Sequence, residues 1–281
     1  MKTFVITGAT GAIGKAAALE LARTGNNLIL VGRDKEKLDA VIKEISSITK
    51  NQTTNIVLAD LADISSVKKA AEKIKSKITS LDGLIHVAAA YKSKRELTKD
   101  GLEYMFALNH MAPFVLTHEL LTLINSTPGS RVLTVSAPST TALKFEDLQG
   151  SQRFNALTAF GATKMANHLF TYALSRRMHG IGTAAMIFHP GLVKSDLIRE
   201  MALPLRLLFN LLSKKPEKPG HAIAQLMTGS HFNDVNGKFF SSTFKELHPP
   251  GNSSVTGLQE KLWDVSEEIL ESKKQKTAVS V

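Results

Sequence analysis

The 281-residue chain contains no cysteine, which excludes disulfides and thiolate metal sites and points to a reducing compartment, with the cytoplasm as the expected location. Aromatic residues are scarce at 6%, and few of them stand between lysines, which are scattered over helix-like segments (Lys35, Lys37, Lys43; Lys68, Lys69, Lys73). The formal charge of +10 therefore reads as a solvated basic surface, and no nucleic-acid partner is expected. No apolar run reaches the roughly 18 uninterrupted residues of a membrane-spanning helix. The first residues, Met1 to Gly8, read as a strand running into a turn and not as a signal peptide, so the mature chain is expected to begin near residue 1. No metal site is expected.

What is present is an ordinary apolar fraction, 43%, with 21% charged residues, enough for a large buried core. Short apolar runs alternate with long amphipathic ones. Strands are predicted at 3–7, 27–31, 55–58, 83–87, 131–135, 182–188 and near 237–240, and helices at 13–24, 35–49, 64–77, 101–124, 156–179, 221–228 and 257–271. This alternation predicts an α/β fold with a doubly wound parallel sheet of about seven strands, the Rossmann arrangement. No linker divides it, so one domain is expected over residues 1–271, with a polar, frayed tail at 272–281.

The sharpest local signal is Thr7-Gly8-Ala9-Thr10-Gly11-Ala12-Ile13-Gly14, between the first strand and the first helix. Glycines there permit a tight turn and let a pyrophosphate approach backbone N–H groups at the positive helix end. Gly8, Thr10, Gly11, Ala12, Ile13 and Gly14 are therefore candidate cofactor contacts. The second strand ends Leu30-Val31-Gly32-Arg33-Asp34. Where an NAD site places a carboxylate against the ribose 2′-hydroxyl, this chain has Gly32 with Arg33 beside it, which favours the 2′-phosphate of NADP(H) over NAD. Lys15 is expected to add positive charge nearby.

With these residues the chain resembles the short-chain dehydrogenase/reductase family, most closely its retinol-dehydrogenase-like and WW-domain-oxidoreductase-like branch, over roughly residues 2–270. The resemblance implies one active site at the carboxyl ends of the strands. It also implies site roles for particular residues. Asp60 and Leu61 would face adenine. Ala88 and Ala89 stand in a His86-Val87-Ala88-Ala89 segment where the family usually has Asn-Asn-Ala-Gly. Asn109 resembles the asparagine that bends its helix and holds a proton-relay water. Lys164 resembles the lysine that binds the nicotinamide ribose and lowers the pKa of a neighbouring tyrosine. Pro190, Gly191, Val193 and Ser195 resemble the segment covering the nicotinamide.

Two positions depart from the family pattern. Its Tyr-x-x-x-Lys motif reads Phe160-Gly161-Ala162-Thr163-Lys164, and none of the three tyrosines is followed by lysine four residues on. Its catalytic serine position, in Val135-Ser136-Ala137, is held by Ala137, with Ser136 or Ser139 as partial substitutes. Phe160 has no exchangeable proton and Ala137 no donor. Losing a general acid costs about 10²–10⁴-fold and losing an oxyanion donor about 10²–10³-fold. His86, His110 and Tyr91 are the remaining acid/base candidates near the pocket.

Both exchanges remove one oxygen and keep the carbon frame. A lineage that lost redox chemistry and a deliberately disabled reductase are equally compatible with them. Two functions stay open: an NADP(H)-dependent oxidoreductase for a hydrophobic carbonyl or alcohol with crippled turnover, and a silent dinucleotide sensor or non-redox isomerase or cyclase. The apolar stretch Met201–Leu212 followed by Ser213-Lys214-Lys215 reads as part of a substrate lid near 195–220, as a peripheral membrane contact, or as a homo-oligomer interface. The resemblance places oligomer contacts on the fourth and fifth predicted helices. Trp263 is expected to anchor the last helix.

Overall fold

A computed structural model describes residues 1–278 except Asp196, Ile198, Ala202 and Asp234. The apolar runs form the strands β1 (Thr3–Thr7), β2 (Asn27–Gly32), β3 (Thr54–Leu58), β4 (Gly83–His86), β5 (Arg131–Val135), β6 (Ala184–His189) and β7 (Lys238–Ser241). All pair in parallel, in the order β3-β2-β1-β4-β5-β6-β7. Central strands read as nearly unbroken apolar sequence because helices cover both faces; Phe4, Ile6, Leu28 and Leu30 are fully buried. An eighth strand, β8 (Glu246–Leu247), adds antiparallel to β7 through a turn in which Phe244 adopts φ 61°. The expectation of about seven parallel strands missed it, because two residues carry no readable period.

The helices between strands are α1 (Ala12–Arg23), α2 (Lys35–Thr49), α3 (Ile64–Lys75), α5 (Ala112–Asn125), α6 (Ala156–Arg177) and α8 (Glu217–Thr228), with a short α4 (Tyr104–Phe106) leading into α5 and a separate α7 (Leu203–Leu212). Side chains cap the starts of α2, α3 and α6: Asp34 accepts from Lys37 N, Asp63 from Ser65 N and Asn155 from Thr158 N. Helix α1 has Gly11 as its cap, and no side chain closes it. It rises from the crevice between β1 and β4, where the strand order reverses.

The last helix, α9 (Thr256–Ala278), lies across α5 and α6. Trp263 sits 5.1 Å from Phe114 and 6.1 Å from Phe170, ring centre to ring centre, with the Arg177 guanidinium 3.9 Å over its own ring. Glu260 pairs with Arg176 and Arg177, which hold its carboxyl at about 2. Helix α9 thus packs on part of both helices on which oligomer contacts were expected. It runs past Glu271, into the segment expected to fray, and reaches Ala278; residues 279–281 lie outside the described residues.

Candidate active site

The glycine turn is shaped by its own geometry. Gly8 has φ 70°, and a Cβ there would lie 2.7 Å from the Ala88 nitrogen; one on Gly14 would lie 2.3 Å from the Gly8 oxygen. The Thr7 hydroxyl accepts from Val87 N at 3.2 Å, tying the ends of β1 and β4 together. Thr10 and Gly11 are exposed beside the uncapped start of α1, with Ala12 and Ile13 half-buried behind them. The residues therefore fit a dinucleotide: a helix N-terminus open to an anion, with only small side chains, Ala88 and Ala89, across the crevice.

At the end of β2 the exposed Arg33 reaches the Tyr104 hydroxyl at 3.3 Å. Lys15, expected beside it, instead pairs with Glu44 of α2 at 3.0 Å. The two helices run side by side, and the sequence does not show which carboxylate α2 presents to α1. Asp60 is exposed after β3 and accepts from Ala62 N, while Leu61 is buried.

The helix from α4 into α5 passes through a π segment, Ala107–Met111, with Asn109 at its centre. The Asn109 amide is 1% exposed and fully used: Oδ1 accepts from Ala90 N at 2.7 Å, while Nδ2 donates to Ala90 O and to Thr163 Oγ1. Thr163 in turn donates to Phe160 O. Asn109 thereby clamps the exit of β4 to the first turns of α6.

Phe160 and Lys164 lie one turn apart on α6, and the ammonium stands 5.0 Å over the phenyl ring. Tyr91 meets the same ring edge-on at 5.7 Å. Around them pack Met105, Phe154, Ala156, Leu197 and Met201, an apolar lining whose last two members come from the segment before α7. Gly191, at φ 78°, starts that segment after Pro190, and the half-buried Val193 bridges to Lys214 beyond α7, so both ends of the lid are pinned together. Ser195 is half-buried in it.

The hydroxyl protons of both neighbouring serines go to backbone carbonyls of α6. Ser136 Oγ is buried and donates to Lys164 O at 3.0 Å; Ser139 Oγ donates to Gly161 O at 2.8 Å. Both hydroxyls fasten the Ala137 loop to α6. The imidazoles of His86 and His110 are core groups as well, bonded to Thr117 Oγ1 and Ser266 Oγ, and burial pushes each down to about 3. Tyr91 does reach the site, although burial, with the Glu200 carboxylate second, raises its phenol above the ordinary range and weakens it as an acid. No cluster of described His, Asp or Glu residues could hold a metal ion.

Residues 2–204 match the family model described as short chain dehydrogenase. The chain belongs to the short-chain dehydrogenase family. Human retinol dehydrogenase 13 is 34% identical over 273 residues, covering 93% of this chain and 82% of that protein, which marks the retinol-dehydrogenase-like branch. Among solved structures, a putative uncharacterized protein from Mycobacterium paratuberculosis superposes with a TM-score of 0.76 at 26% identity, covering 96% of this chain and 94% of that one. A Burkholderia cenocepacia short chain dehydrogenase, solved in complex with NADP, shares the fold at a TM-score of 0.69 and 20% identity, over 85% of this chain and 95% of that one. A nicotinamide dinucleotide is the cofactor class the family implies.

As a short-chain dehydrogenase the chain is left with an unpaired cation. No carboxylate or hydroxyl among the described residues holds the Lys164 ammonium, and burial pushes it down from 10.5 to about 8. Between those two values the unfolded chain binds a proton that the folded chain does not, so stability rises with pH there. Without cofactor, urea unfolding is expected to show a gain on the order of 3 kcal/mol from pH 8 to 10.5. Lys164→Met should abolish that gain. An unchanged pH dependence in the variant would mean that the ammonium is solvated.

Proposed function

We propose that this chain binds NADP(H) in the β1–β4 crevice and is a short-chain oxidoreductase for a hydrophobic carbonyl or alcohol whose redox turnover is slowed in this sequence. The observation that carries the reading is the Phe160–Lys164 pair: the lysine keeps its place one turn along α6, and the ring beneath its ammonium has no hydroxyl. The turn at 8–14 and the open start of α1 are suited to the pyrophosphate, Arg33 to the 2′-phosphate and Lys164 to ribose hydroxyls. Asp60 and Leu61 would flank adenine, and Ala88 and Ala89 leave it room. Pro190, Gly191, Val193 and Ser195 would cover the nicotinamide.

The bound nicotinamide would supply or accept the hydride. The chain's own residues would orient the partner and exclude water: Leu197 and Met201 close over Tyr91 and Phe160, an apolar lining that suits the kind of alcohol for which the related retinol dehydrogenases are named. At the substrate oxygen, Phe160 offers no proton and Ala137 no hydrogen bond. Those same two residues favour the second reading, a dinucleotide-binding chain with no redox step.

Titration with NADPH and NADH tests the cofactor. Arg33→Ala is expected to weaken NADPH by about 10- to 100-fold, the worth of a lost charge-assisted contact, and to leave NADH nearly unchanged. Equal weakening of both, or of neither, would remove the preference for the phosphate.

A further inference from the structure

Among the described side chains of the lid, four leucines stand exposed: Leu192 at 41%, Leu203 at 56%, Leu207 at 59% and Leu211 at 82%. The other exposed large apolar side chains among the described residues are spread singly over other elements. Leu203, Leu207 and Leu211 are spaced four apart on α7 and so share one face. Leu192 lies beside the chain just beyond the end of α7, since its carbonyl accepts from Lys214 N at 2.8 Å and Lys194 N donates to Lys214 O at 3.2 Å. Those bonds gather Lys194, Lys214 and Lys215 at the end of α7 that carries Leu211, all exposed and without an ion pair to any described residue. From Met201 to Gly220 the only carboxylate is Glu217, against Arg206, Lys214, Lys215 and Lys218.

We infer that the lid docks on an anionic phospholipid surface, with the leucines entering the acyl boundary and the lysines meeting phosphates. An apolar helix face edged with cations has the composition that binds such an interface. A second copy of the chain fits less well, because self-pairing of this patch would set its unpaired cations against one another. The lid also has an inner side: Leu197 and Met201 pack on Tyr91 and Phe160. One short segment therefore touches the proposed bilayer and the apolar lining, which gives a bilayer-dissolved substrate a route that avoids water. This goes beyond the cofactor reading and does not rest on it.

Flotation of the full chain with vesicles tests the inference, using phosphatidylcholine alone and phosphatidylcholine mixed with phosphatidylserine. Binding is expected to the mixed vesicles, falling with added salt. Leu203→Ser/Leu207→Ser/Leu211→Ser should weaken it by about tenfold or more. Lys194→Glu/Lys214→Glu/Lys215→Glu should cost about fivefold or more per cation and carries the test if the serine variant melts early. No flotation of the parent, or equal flotation of both folded variants, overturns the proposal. So does a dimer that the serine replacements split, which would assign the patch to self-association. So does equal, leucine-insensitive binding of polyglutamate, which would assign it to an acidic protein. An NADPH titration on the same samples keeps this result separate from the cofactor reading.

Discussion

If the proposed reading holds, placing hydroxyls where the family pattern has them, by Ala137→Ser with Phe160→Tyr, is expected to raise kcat/KM for NADPH-dependent reduction of a hydrophobic aldehyde by at least about 10²- to 10⁴-fold over the chain as it stands. That range is the usual worth of a general acid. The serine would contribute up to a further factor of about 10²–10³, though the two gains need not multiply. The surroundings already favour the exchange. The Lys164 ammonium stands over the ring that would carry the new hydroxyl, and a cation there stabilises a phenolate. Asn109, Ser136 and Ser139 fasten the β4 exit and the Ala137 loop to α6, so both new side chains would enter a frame already held. The readout is NADPH absorbance. If the parent already turns over as fast as the double variant, another acid is at work, and Tyr91, in contact with Phe160, is the one to replace next. If neither turns over while both bind NADPH, the non-redox reading takes precedence.

Acid is expected to unfold the protein well above the range in which its carboxylates alone would do so. Burial holds His86 and His110 at about 3 and His168 at about 4, against an ordinary 6.5. Below 6.5 the unfolded chain takes up protons that the folded one refuses, so the stability present above that pH is lost as it falls. At pH 4 each histidine costs about 3 kcal/mol, and the three together rival the whole stability of a typical domain. Between pH 6 and 4.5 the free energy of unfolding in urea should fall by about 4 kcal/mol per pH unit, and His110→Gln should reduce that slope by about a third. A slope close to zero in that window would show that these imidazoles are hydrated when folded.

Those histidines also mark a limit of the sequence reading. His86 and His110 flank the site in sequence, and as titratable groups near a pocket they read as acids or bases. Their direction is set by packing: His86 turns to Thr117 on α5 and His110 to Ser266 on α9, contacts between segments far apart in the chain. The ion pair of Lys15 was hidden for the same reason, since Glu44 is its neighbour only once α2 lies along α1. Features written locally were legible. The apolar runs gave the seven parallel strands to within a few residues, and Asp34, Asp63 and Asn155 stand where their helices begin. Phe160 four residues before Lys164 is a local fact, and it survives as a contact in space. The use of Ser136 and Ser139 as fasteners was not legible, because it depends on which carbonyls of α6 come within reach of the β5 exit.

Helix α9 gives part of the α5–α6 face a cover that belongs to the same molecule. An attached segment meets its docking surface at a local concentration set by the connecting chain, whatever the amount of protein in solution. Phe114, Phe170 and the partners of Trp263 therefore stay shielded at any dilution. A second subunit on the same face would come away as the protein was thinned, whereas this cover leaves only when the chain itself is cut or unfolds.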